Sequence, residues 1–91
     1  MLKGKTDTGF RFSIDDEARD DMELLEKLAA LSKGDVSVLP ETLVLFLGED
    51  QKKKLYDHCR GKSGRVSSKA VMTELEDIFA KAKEGDTDIK N

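Results

Sequence analysis

His58 and Cys59 are the only histidine and the only cysteine in this chain of 91 residues, and they are adjacent. A nucleophile with its base, or part of a soft-metal site, is the chemistry these two residue types suggest. Their spacing argues against both. Neighbouring helical positions point about 100° apart, so the imidazole is poorly placed to take the thiol proton. A zinc or iron–sulfur centre needs more ligands of the same kind, and the chain has none to add, so no metal or cofactor is expected. What remains is a surface histidine beside a half-buried cysteine. One cysteine cannot form an internal disulfide, which fits a reducing cytoplasm.

Two other stretches carry suggestive residue types. The acidic run from Asp15 to Glu26 would attract a divalent cation, but it lacks the spaced oxygen ligands and central glycine of a calcium loop. A helix start favoured by the helix dipole explains it better. The segment GKSG at 61–64 looks like a piece of a phosphate-binding loop, yet the preceding strand and the upstream glycine are missing. It reads as a flexible loop, and no constellation of residues points to an enzyme.

Around that loop lies the basic segment 51–69, with Lys52, Lys53, Lys54, Arg60, Lys62 and Arg65. Two short helices meeting at Gly48 would make a helix-turn-helix with these cations facing phosphate, an alternative reading as a small nucleic-acid-binding or regulatory protein. Only Gln51 and His58 are then suited to reading base edges, and the isoelectric point is 5.2. Charge is strongly segregated. Basic and acidic residues number three and one in 1–12, three and eleven in 13–50, seven and one in 51–69, and three and six in 70–91. Such segregation favours docking of opposite faces, within one molecule or between copies, and phosphate would avoid the larger acidic block.

The elements that must position these groups follow from periodicity. Leu2–Thr6 and Phe10–Ile14 flank Asp7-Thr8-Gly9, and Phe10, Phe12 and Ile14 alternate with polar residues, so a β-hairpin is expected. A first helix should begin near Asp15 or Asp16, with Met22, Leu25, Leu28 and Ala29 on its apolar face joined by Leu24 and Leu31, and Gly34 closing it. The second spans Ser37 or Leu39 to Leu47, with Pro40 in its first turn. It is apolar on every side and should be the buried centre. The third runs from Glu49 or Asp50 to about Arg60, turning Leu55, Tyr56 and Cys59 inward. The fourth is capped by Ser67, stapled by Val66 against Val71, and striped by Val71, Leu75, Ile78 and Ala82, with Met72 and Phe79 beside them. It should fray after Lys83. The expected fold class is therefore mainly α (α+β), an N-terminal hairpin followed by a compact bundle of about four helices. Residues 1–84 form one domain and 85–91 a polar tail.

Charged residues at 38% and hydrophobic ones at 37% describe a soluble globule with a small core. A chain this short buries only about 60% of its unfolded surface and should be marginally stable alone. The greasiest run, Val36 to Leu47, is far short of the roughly 20 residues that span a bilayer. The start MLKGKTDTGFRF lacks the apolar run that export requires, so no export signal is expected.

In order of elements and in the strings LLEKLAAL, LP before a Leu-rich segment, LGEDQKKKLYDH, and GRVS entering the last helix, the chain resembles the small tail assembly chaperones of long, non-contractile-tailed phages and prophages of Gram-positive bacteria. The resemblance covers roughly residues 10–82. It implies a non-structural protein of the host cytoplasm that coats the helical tape measure protein and recruits tail tube subunits. It also implies a longer form made by ribosomal frameshifting, of which this chain is the short version or shared domain. Holding an amphipathic helix calls for an apolar groove rimmed by charge. The candidates for it are Leu43, Phe46, Leu47, Leu55, Tyr56, Ile78 and Phe79, some of them left exposed or covered in a homo-oligomer.

Overall fold

The computed structural model describes residues 1–90, with side chains described through Lys83. It is mainly α with a small β part: an N-terminal antiparallel hairpin followed by four helices. Strand β1 (Leu2–Lys5) pairs with β2 (Arg11–Ile14), placing Leu2 opposite Ile14 and Gly4 opposite Phe12. Gly4 is required there. A β-carbon on it would lie 2.6 Å from Phe12 Cζ, so the ring fills the space a side chain would take. Phe10, Phe12 and Ile14 are all buried, as their alternation predicts.

The first helix departs from expectation. It is α1 (Met22–Ser32), and Asp21 caps it rather than Asp15 or Asp16, accepting bonds from the amides of Glu23 (2.8 Å) and Leu24 (3.3 Å). Asp15–Glu17 lie in a turn leading to a single 3-10 turn, Ala18–Asp20. A cap needs extended backbone. Asp21 has it (φ −94°, ψ 117°), whereas Glu17 is already helical. The inward face shifts accordingly. Leu24 and Leu31 are buried and Leu28 is half-buried, while Met22 and Leu25 are 64% and 58% exposed.

A second 3-10 turn, Val36–Val38, leads into α2 (Leu39–Leu47), with Pro40 in the first turn. Leu43, Phe46 and Leu47 are buried, and the hydroxyl of the fully buried Thr42 is satisfied by the Val38 carbonyl at 2.8 Å. This helix is the centre of the molecule, packing on α1 and on α3 (Glu49–His58). A single residue makes the corner. Gly48 donates to the Val44 carbonyl and accepts from the Lys52 amide. Its backbone sits at φ 86° and ψ 163°. That conformation is essentially reserved for glycine.

Leu55 is the buried residue of α3, with Tyr56 and Cys59 half-buried. The loop after it is closed by an Arg60–Val66 bridge, by the Gly61 amide on the Arg65 carbonyl (2.9 Å) and by Arg60 Nη1 on the Gly64 carbonyl (2.8 Å). Ser67 Oγ accepts the Ala70 amide (3.1 Å) and starts α4 (Ser68–Lys90). The stripe Val71, Leu75, Ile78 and Ala82 is buried in full. The helical backbone runs on to Lys90, past Lys83 where fraying was expected, and the side chains of the expected tail at 85–91 lie outside those described.

Candidate interaction surfaces and a buried polar cluster

Of the seven candidate partner-binding residues, Leu43, Phe46, Leu47, Leu55 and Ile78 lie in the chain's own core. Tyr56 is half-buried, and Phe79 is 39% exposed. The seven do not line one common groove. The two that reach the surface belong to two separate ones, built largely from residues the sequence did not single out for binding.

The first groove, of about 560 Å³, opens at the N-terminal ends of α2 and α4. Val36, Leu39, Pro40, Tyr56, Val66, Val71 and Met72 line it, with Ser68 and Lys69 at the edge. Val36 is 63% exposed, although it sits in the greasiest stretch of the chain. The second groove, about 240 Å³, lies where α1 meets the later turns of α4. Leu24, Leu25, Leu28, Phe46, Phe79 and Ala82 line it, with Arg19, Asp21 and Lys83 around them. Phe79 meets the edge of Phe46 with ring centres 6.2 Å apart, and Lys83 Nζ sits 5.5 Å from the Phe79 ring centre. Leu25 was legible as part of an amphipathic helix, but its side of that helix was not.

Comparison with known protein families, with curated proteins and with solved structures returns no match.

The second arrangement that sequence reading missed is polar. Glu74, only 4% exposed, sits under the hairpin turn and accepts the hydroxyl protons of Thr6 (2.8 Å) and Thr8 (2.9 Å). Thr8 Oγ1 also lies 2.8 Å from His58 Nε2. A hydroxyl has one proton, and Thr8 gives it to Glu74, so the nitrogen must be the donor and His58 carries a hydrogen on Nε2. The imidazole also tilts against Phe10, ring centres 5.5 Å apart. Thr8 and Glu74 approach the same ring nitrogen, with Glu74 Oε1 3.9 Å from it. A hydroxyl–imidazole–carboxylate relay needs them on opposite nitrogens, so the group clamps the turn and is not laid out to move a proton. Cys59 stands apart. Burial, and then the charge of Glu74, push its thiol up, the reverse of nucleophile activation.

Beside this cluster, Lys81 Nζ bridges Asp77 (2.7 Å) and Asp7 (3.1 Å), and the Asp7 amide donates to Asp77 at 2.7 Å. The ammonium hydrogen bond, then the amide, hold the Asp77 carboxyl below its ordinary range. The same ammonium's bonds, to Asp77 and then to Asp7, hold Lys81 above its own.

The residues suited to base reading are otherwise occupied. Gln51 accepts from the Ser13 amide and donates to the carbonyls of Ser13 and Leu47, each at 2.7 Å, and His58 is engaged with Thr8. Lys52 lies 5.5 Å from the Tyr56 ring centre, while Lys53 and Lys54 are exposed. Among the described residues no group of three or more His, Cys, Asp or Glu is placed to hold a metal ion, and no helix is long and apolar enough to cross a membrane.

Proposed function

We propose that this chain is a non-enzymatic assembly chaperone of the phage-tail kind, acting in the host cytoplasm by holding a helical tape measure protein while tube subunits gather. The observation that carries this reading is the pair of open grooves lined mainly by apolar side chains. Val36, Met22, Leu25 and Phe79 stay exposed although the fold has buried leucines in plenty. Large exposed apolar residues grouped beside clefts mark contact sites for other polypeptides. The order of elements behind the resemblance, hairpin then four helices, is the order of the fold. A longer frameshifted form would add a second, tube-binding part to the same domain.

The reading is tested by co-expression with the product of a long, coiled-coil-rich gene, expected just downstream, with a slippery heptamer near codons 80–91. That product should be kept soluble and co-purify with the tagged chain. Equal solubility with and without the chain would sink the proposal. The nucleic-acid reading is weakened by the engagement of Gln51 and His58 in the fold. Duplex DNA binding that falls steeply with salt would revive it.

A further inference from the structure

The two grooves share two helices at one repeat. Leu39 and Phe46 of α2 lie seven residues apart, and so do Met72 and Phe79 of α4. Seven residues are about two helical turns, which returns to the same face about 10 Å further along. The two grooves therefore recur on the same faces of α2 and α4. Charge differs between these two stations. On the loop side of the first, residues 60–69 contain Lys62, Arg65 and Lys69, with Arg60 paired to Asp57, while Asp35 and Glu41 flank its Val36–Pro40 wall. Residues 15–26, beside the second, contain seven acids and a single base, Arg19, tempered by Lys83 across the groove.

We propose that the two grooves form one track for a single amphipathic helix. That helix places large apolar side chains at positions i and i+7, one in each groove. Its acidic C-terminal end lies over the Lys69 station, where the negative end of its dipole also meets the basic loop, so it runs antiparallel to α4. This inference rests on the protein-binding reading but on no particular partner.

The test uses three labelled synthetic helical peptides of one composition, titrated by fluorescence anisotropy. One has leucines seven apart with glutamates at its C-terminal end, one has them five apart, and one has the glutamates moved to its N-terminal end. The first should bind about tenfold or more tighter than either other, and Val36→Asp and Phe79→Asp should each weaken it by a similar factor while leaving the circular dichroism unchanged. Equal binding of the three peptides, no binding of any, or indifference to both substitutions overturns the track. So does sedimentation showing a dimer that either substitution dissolves, since a second copy would then cover the face. Capture of the tape measure product by a Val36→Asp, Phe79→Asp double variant would overturn the track and leave the chaperone reading standing.

Discussion

Glu74 gathers the hairpin turn, the end of α3 and α4 around one buried charge. Two hydroxyl donors offset part of the cost of burying that carboxylate. Its field also reaches Cys59, whose thiol is raised by burial and by Glu74. Less thiolate at a given pH means slower alkylation. Iodoacetamide at mildly alkaline pH should modify Cys59 several-fold more slowly in the native protein than in urea, and equal rates would contradict the assignment. The half-buried cysteine was legible in the sequence, but the cluster beside it was not. Thr8 and Glu74 are 66 residues apart, and His58 meets Thr8 from a distance of 50. Nothing in composition or spacing announces such a meeting.

At the scale of elements, legibility tracked how unambiguous each pattern is. The stripe Val71, Leu75, Ile78 and Ala82 admits one helical phase, and the fold buries all four. The first helix offers doubled positions, Leu24 with Leu25 and Leu28 with Ala29, so either of two faces satisfies the period. The crowd of acids from Asp15 onward drew the expected start to Asp15 or Asp16, whereas the extended backbone at Asp21 places the cap there. The contact between hairpin and α4 gives a prediction with a definite sign. Asp77 is held below its ordinary range. Its contribution is therefore complete above about pH 4 and is lost as pH falls through the lowered value. Lys81 is held above its range. Its contribution is complete below the ordinary lysine range and is lost as pH rises through the raised value. Asp77→Asn should lower the urea midpoint at neutral pH, and the gap from wild type should close on acidification below about pH 4. A gap independent of pH would refute the assignment.

For the whole molecule, the fold class was within reach because the strand and helix periods do not overlap, whereas the open surface was not. A sequence tells which residues are greasy, and only the packing tells which greasy residues are left over. The two kinds differ measurably. Leu43 is fully buried, while Leu25 is 58% exposed. Leu43→Ala should cost about 2–5 kcal/mol. That is a large share of the total stability of small domains, typically about 5–15 kcal/mol. Leu25→Ala should stay within about 0.5 kcal/mol of wild type. Urea titrations of both check the contrast, and similar losses would refute the inward phase of α1. The clamp on the hairpin turn also sets an order of events. A ribosome delivers Thr6 and Thr8 long before it delivers Glu74, and Asp7 long before Lys81. Throughout that interval the hairpin lacks the α4 surface that will hold its turn. The newborn polypeptide, more than the finished one, is where this protein is most open to aggregation.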